Sequence, residues 1–556
     1  MQWRILSTQV PQTQAELQKI LLQNRGLKTK AQQTEFLHPQ PPAELTLKSV
    51  GLSAEAVKKA VDRLQKAIQN QEKVLIFGDY DVDGITATAI AWEGLKAAGL
   101  VTRPFIPHRL KHGYGLSLKA LDEILAEFQP DLILTVDNGI VAHPALERLQ
   151  ELKIPVIVTD HHQPDEVDLP TVATVHSSQL CGAGVAWFLV RELLIATTQV
   201  QADQWLDLVA LATVADQMPL LGANRDLVTA GLAELRLTQR PGIKALLGAA
   251  SLSADALTSE NLSFGLIPRL NAMGRLKDGV ESLRLLCTHS TSRATELAQR
   301  LQTTNAARQD LTQDLLKQAE LQAQEQLDQR ILVVYSTEFH EGVIGLLAGK
   351  LMEQYSRPVV AIQVSQNLAK ASVRSVPGVN IIELLRELRE SFWELGGHAL
   401  AAGFACDPAQ VTQIQQQLFD LGQQKISADQ LIPTFTAECE LPTHWLSLDF
   451  YDWLQQFEPF GQSNSRPIFQ LKNLKLIKFS LMGKQQQHLR LTFELTETGR
   501  IFEAVAWQKG SLTTSLVLGQ QLSVLANLTQ NVWRERKSLQ LQIIDWKIQD
   551  TKTPTG

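Results

Sequence analysis

The 556-residue sequence has only four cysteines, Cys181, Cys287, Cys406 and Cys439. They are widely scattered, with neither metal-finger spacing nor a disulfide framework, which fits a reducing compartment and predicts a cytoplasmic protein. No apolar run reaches the length that spans a bilayer, and the N-terminus lacks a charged-then-apolar signal, so no membrane partner is expected. An excess of basic residues is also missing: 52 Lys and Arg against 58 Asp and Glu leave a formal net charge of −6. That sum counts mildly against a nucleic-acid partner but leaves room for a local basic groove, which acidic ligands and outer faces offset. Finally, neither glycine nor proline occurs between Val280 and Glu341. Residues 291–328 are rich in Ala, Leu, Gln, Glu and Arg and predict one helix about 55 Å long, suited to a strut between domains.

What is present describes an ordinary globular composition, 44% hydrophobic and 20% charged, in a chain too long for one core. Residues 1–54 read as a small helical lead with a Pro-rich exit, "HPQPPAEL". Residues 55–285 form an α/β domain. The runs "VLIF" (74–77), "LILTV" (132–136) and "VIVT" (156–159) are its clearest strands, and amphipathic stretches between them predict a parallel sheet with helices on its faces. The connecting helix occupies 286–330, and a second α/β domain 331–425. Residues 430–550 carry short alternating strands such as "HLRLTFEL" and "IFEAVAW", which predict a small OB-like β-barrel. The fold class is therefore multidomain α/β with a C-terminal barrel.

The stretch "GDYDVDGIT" places Asp79, Asp81 and Asp83 at alternate positions before Gly84. A calcium-binding EF-hand loop begins this way but needs a bidentate Glu at its twelfth position, which here is Ile90, and a helix rather than a strand before it. Ligands of an open parallel sheet bind beyond the carboxyl ends of its strands. Asp137, Asn138 and Gly139 follow the second strand, Asp160, His161 and His162 the third, and Asp216 ends the run "LVALATVAD". One such acid is an ordinary helix cap or solvated turn. Several on one rim repel each other without cations. Oxygen donors with one or two imidazoles suit Mg²⁺ or Mn²⁺ better than zinc. So many acids point to two ions, which about 4 Å apart clamp the attacking and leaving oxygens of phosphoester hydrolysis.

Beyond the acids, the sequence offers phosphate grips. Ser372 and Arg374 face one side of an extended segment. Gly396 and Gly397 allow close backbone approach beside His398. His340 adjoins "EGVIG", and Arg269, Asn271 and Arg275 cluster before the strut. Arg pairs with phosphate through two parallel hydrogen bonds. The tail interleaves Lys472, Lys475, Lys478, Lys484, His488, Arg490, Arg534, Arg536 and Lys537 with Phe479, Trp507 and Trp533. Cations and rings so mixed suit a single strand, although each tryptophan alone is more often core.

In order, "DYDVDGITA", "VDNG", "DHH" and "ALATVAD" resemble the four motifs of the DHH phosphoesterase superfamily. "PRLNAMGRL", "NAARQ", "FHEGVIGLLAGKL", "ASVRSVPGVN", "GGHALAAGF" and "FEPFGQSNSRPIF" extend the likeness to the RecJ family over nearly the whole chain. The resemblance implies a two-metal exonuclease of single-stranded DNA, 5′→3′, releasing mononucleotides in DNA repair and recombination. It makes Asp79, Asp81, Asp83, Asp137, His161 and Asp216 metal ligands, with Asp81, Asp83, Asp137, His161 and His162 catalytic. His162 would adjoin the scissile phosphate, and Asp160 would orient His161. The second domain (DHHA1) would contact DNA through His340, Ser372, Arg374, Gly396, Gly397 and His398, joined by Arg269, Asn271 and Arg275. Single-strand-binding protein and a helicase are implied partners. The run "TVATVHSSQLCGAGVAWFL" departs from the family in lacking an Asn-Pro loop, which puts substrate entry there in question. Phe339 replaces a usual Trp, and Ala437 a common Asp. Two other readings have less support. A phosphodiesterase of oligonucleotides or cyclic dinucleotides would not need the tail, and a non-catalytic DNA-binding scaffold would show gaps in the acidic set.

Overall fold

In chain order, a short strand β1 (Gln2–Ile5) precedes the first α/β domain, whose strands are β2 (Lys73–Phe77), β3 (Val101–Phe105), β4 (Leu132–Val136), β5 (Val156–Asp160) and β6 (Ala173–His176). They form a parallel sheet in the order β3-β2-β4-β5-β6. β4 and β5 are buried throughout and β2 from Val74 onward, because helices cover both faces, and such strands read as unbroken apolar runs. β3 and β6 escape that reading. β3 is a half-buried edge strand containing Pro104, which an edge tolerates, and β6 has only four residues, alternately buried. The chain passes from β2 out to β3 and back to β4 on the other side. This reversal opens a crevice at the carboxyl ends of β2 and β4, where an open α/β sheet takes its ligand.

This computed structural model describes residues 2–549 apart from 114, 199–201, 484, 497–498 and 535, and Lys484 and the Trp533 side chain fall outside the described residues. The strut is the helix Thr291–Gln324, capped by Ser290 Oγ on the Arg293 amide. Its 34 residues span about 51 Å at 1.5 Å each. Ala294, Leu297, Ala298 and Leu301 enter the core of the first domain, and Leu315, Ala319 and Ala323 that of the second. The helix thus ties two cores together.

The second domain holds β7 (Leu332–Ser336), β8 (Val359–Val364), β9 (Ala369–Arg374), β10 (Glu394–His398) and β11 (Ala401–Cys406), ordered β10-β11-β9-β8-β7. Only β7 and β8 pair in parallel. β12 (Thr434–Ala437) then leads to a closed barrel of β13 (Phe469–Met482), β14 (His488–Leu495), β15 (Ile501–Ala506), β16 (Gln521–Trp533) and β17 (Arg536–Ile548), ordered β13-β14-β15-β17-β16.

The N-terminal lead carries two helices, Gln14–Asn24 and Lys30–Leu37, and also a strand, and it packs into two cores. β1 pairs in parallel with β12, and Leu17, Ile20, Leu21, Leu22 and Phe36 belong to the barrel's core, while Leu45, Val50 and Leu52 belong to the first domain's. Short amphipathic helices cannot bury their apolar faces alone. The fully buried Arg225 of the first domain closes the joint. It donates to the carbonyls of Phe36 (2.9 Å), Phe457 (3.0 Å) and Gln456 (3.1 Å), with its guanidinium 3.9 Å over the Phe36 ring. No described helix is long and apolar enough to cross a membrane.

Candidate metal centre and phosphate grip

The turn after β2 carries the first three acids. Asp81 caps the helix Val82–Ala97, its Oδ1 accepting from the Gly84 amide at 3.0 Å. Gly84 is required because a Cβ there would lie 2.5 Å from Asp79 Cβ. Asp83, the second residue of that helix, accepts from the Gly182 and Ala183 amides, both at 2.7 Å. These amides open the helix Gly182–Thr197, so Asp83 sits at the positive end of a second helix dipole. The departure run "TVATVHSSQLCGAGVAWFL" thus supplies β6 and this helix start, and forms the back wall of the acids. His176 Nε2 contacts the His162 carbonyl oxygen at 2.8 Å.

Asp137, following β4, has φ +62°, a left-handed conformation that costs a non-glycine residue roughly 1–3 kcal/mol and clusters at functional sites. It is buried, and its Oδ1 accepts no hydrogen bond from the described residues. His161 Nε2 lies 3.2 Å from Asp137 Oδ1, 3.7 Å from Asp83 Oδ2 and 3.7 Å from Asp216 Oδ2. Asp160 does not take the expected role toward the His161 ring. Its Oδ1 receives His162 Nδ1 at 2.8 Å and the amides of His161 and His162, so the carboxylate orients His162. The end of β5 points it that way, with Oδ2 accepting from the Ile140 amide at 2.9 Å.

The electrostatics match this geometry. Burial and the nearby Asp81 push Asp79 up to about 8, and burial with Asp83 and Asp81 pushes Asp216 up to about 8. Burial and neighbouring acids also raise Asp137 well above the usual range. Burial raises Asp83 as well. Asp160 runs the other way: burial alone would raise it, but the His162 bond and charge and the backbone amides outweigh that and lower it. Against the opposing effect of burial, Asp160 holds His162 up at about 9. Crowded carboxylates beside an imidazole are the donor set of a hard divalent cation. Asp79, Asp81 and Asp137 form one group with donor atoms within 4.8 Å of one another, Asp83, His161 and Asp216 a second, and Asp137, His161 and His162 a third.

Facing the acids is a cluster of guanidinium groups. Burial and the like charges of Arg109, Arg308 and Arg374 push Arg275 down to about 10. Burial and Arg109 lower Arg374, and burial lowers Arg308, whose buried Nε has no hydrogen-bond partner among the described residues. Arg374 donates to Ser372 Oγ at 3.3 Å, and Arg275 to the Gly342 carbonyl at 3.2 Å. The expected grips Arg275, Ser372 and Arg374 are thus drawn together, and Arg109 and Arg308 join them without having been singled out. Arg109 also lies 5.2 Å over the Tyr80 ring. Other expected grips have different partners. Arg269 binds Gln302 Oε1 at 2.7 Å and the Gly265 carbonyl, tying its helix to the strut. Asn271 Oδ1 accepts from the Val82 amide at 3.1 Å, and His340 Nδ1 from the Gly342 amide at 3.0 Å. Gly396, Gly397 and His398 lie on the exposed edge strand β10. On the barrel, Trp507 is 47% exposed, with His488 edge-on at 4.8 Å.

Comparisons with known proteins agree with this architecture. Residues 73–213 match the DHH family, N-terminal domain, residues 328–422 the DHHA1 domain, and residues 437–545 the RecJ OB domain. The single-stranded-DNA-specific exonuclease RecJ of Bacillus subtilis is 32% identical over 555 residues, covering 96% of this chain and 68% of that protein. RecJ of Escherichia coli is 32% identical over 531 residues, covering 88% of this chain and 90% of its own length. The crystal structure of RecJ from Thermus thermophilus in complex with Mn²⁺ superposes with a TM-score of 0.82 at 29% identity, covering 98% of this chain and 79% of that one. A three-part match in the same order, and a third of the residues shared along nine-tenths of the Escherichia coli protein, place this chain in the RecJ family of single-stranded-DNA-specific exonucleases.

Proposed function

We propose that the chain hydrolyses single-stranded DNA from its 5′ end to mononucleotides with two Mn²⁺ or Mg²⁺ ions. The observation that carries this reading is Asp137, a strained, buried carboxylate between two groups of donors, whose Oδ1 lies 3.2 Å from His161 Nε2 and accepts no hydrogen bond from the described residues. Asp79, Asp81 and Asp137 would hold one ion, and Asp83, His161, Asp216 and again Asp137 the other. When bound, the pair supplies positive charge against both the attacking and the leaving oxygen. His162, kept protonated by Asp160 and with 38% of its side chain exposed, presents a further positive charge to the scissile phosphoryl group. Arg109, Arg275, Arg308 and Arg374, with Ser372, take a backbone phosphate beside the acids, and the barrel holds the strand beyond through cations and exposed rings such as Trp507. The family resemblance supports the 5′ polarity and suggests single-strand-binding protein and a helicase as partners. The test is a Mn²⁺ digest of 5′- and 3′-labelled single strands, duplex and RNA. The 5′ label is expected to leave first as a mononucleotide from single-stranded DNA alone, and EDTA to stop the reaction. Release of the 3′ label first, or equal cleavage of duplex, contradicts it.

A further inference from the structure

The sequence groups Asn271 with DNA-contacting residues, yet its side chain faces the catalytic turn. The helix Ile267–Leu276 lies directly on that turn. A Cβ at Gly274 would strike the Tyr80 carbonyl, and one at Gly279 would reach Tyr80 Cα at 3.4 Å. From this helix Asn271 Oδ1 accepts the Val82 amide at 3.1 Å. Val82 is the first residue of the helix capped by Asp81, and its amide is one of the four that a helix leaves without an internal partner. Asp81 serves Gly84, and the Asp81 carbonyl serves Ile85. Asn271 therefore adds to the cap from outside, holding the backbone between Asp81 and Asp83. The other end of the same helix meets the second domain, where Arg275 Nη1 binds the Gly342 carbonyl and a Cβ at Gly342 would strike the Arg275 carbonyl.

We propose that Asn271 is a positioning residue for the metal carboxylates and not a DNA contact. Its amide oxygen fixes the Asp81–Val82–Asp83 backbone, so that two acids assigned to different ions keep their spacing. This rests on the two-ion reading above. Groups that orient metal ligands typically contribute 10- to 100-fold in metal affinity. Asn271→Ala is expected to weaken Mn²⁺ binding about tenfold and to lower kcat, with KM for single-stranded DNA unchanged. Asn271→Asp, which keeps an acceptor oxygen in place, is expected to recover part of the loss.

The test is calorimetric Mn²⁺ titration of the metal-free protein, beside binding of a labelled single strand in EDTA. It is run as a cycle of Asn271→Ala, Val82→Pro and the pair. Proline is accommodated at the first helical position, where it removes the donor amide and puts a ring in place of the buried valine side chain. If the bond acts as inferred, Val82→Pro reproduces the Mn²⁺ loss, and Asn271→Ala adds nothing to it. An equal further loss in the Val82→Pro background overturns the inference. So does weakened strand binding in EDTA with Mn²⁺ affinity intact. A wild-type protein that binds no Mn²⁺ overturns the two-ion reading itself, a result distinguishable from either.

Discussion

Gly182→Ala tests the packing of the metal centre with a single methyl group. The substitution keeps the Gly182 amide, so its 2.7 Å bond to Asp83 Oδ2 survives. The new Cβ, however, would lie 2.5 Å from Asp137 Cβ and 2.6 Å from Asp137 Cγ, against an ordinary contact of 3.4 Å or more. Asp137 or the start of the helix Gly182–Thr197 must therefore give by about 0.9 Å, the difference between 3.4 and 2.5 Å. Asp137 is already in a left-handed conformation and has little freedom to yield. Overpacking of this kind costs about 1–3 kcal/mol of stability, and a displacement near 1 Å at a reacting centre costs about 100-fold in rate. The assays are thermal melting, Mn²⁺ calorimetry and turnover of a 5′-labelled single strand. Gly248→Ala is the control, since its Cβ meets nothing within 4 Å, and it should stabilise its helix by about 0.5–1 kcal/mol. Wild-type turnover and Mn²⁺ affinity in Gly182→Ala would refute the packing argument.

Three other perturbations probe separate parts of the molecule. In the metal-free chain Asp79 and Asp216, both pushed up to about 8, keep protons that an unfolded carboxylate, with a pKa of about 4, has lost. These raised values make their contribution to metal-free stability fall as pH rises from about 4 to 8. An incoming cation must displace the protons, so Mn²⁺ affinity should rise, with proton release, between about pH 6 and 8.5; a flat titration contradicts this. Arg225→Met keeps much of the volume but leaves two buried carbonyls, Phe36 and Phe457, and the part-buried Gln456 carbonyl without their donor, and should lower stability by about 3 kcal/mol; unchanged melting would remove Arg225 from the joint. Arg374→Ala should weaken single-strand binding and reduce its log–log salt slope by about one, whereas unchanged affinity across a salt series takes Arg374 off the DNA path.

The elements that the sequence discloses and those it hides divide on physical grounds. β2, β4 and β5 are legible because parallel strands covered on both faces must be apolar throughout, and their acids follow directly at the strand ends. β3 hides behind Pro104 and half-exposed residues, and β6 behind its brevity. The pairing of β1 with β12 joins residues more than 400 positions apart, and no local pattern encodes it. Asp160 precedes both His161 and His162, so sequence adjacency does not say which ring it holds; the orientation at the end of β5 decides. Arg109 and Arg308 sit among other cations, in "HRLKH" and along the strut, and only their convergence with Arg275 and Arg374 marks them. Asn271 shows the converse: a polar residue in a suggestive motif whose oxygen the fold turns toward a helix amide.

The division of six ligands between two ions is tested most directly by diffraction from Mn²⁺-soaked crystals at the manganese absorption edge. Two anomalous peaks are expected, one among Asp79, Asp81 and Asp137, the other among Asp83, His161 and Asp216, with the Asp137 carboxylate reaching both. A single peak, or two peaks that leave Asp137 uncoordinated, would contradict the assignment.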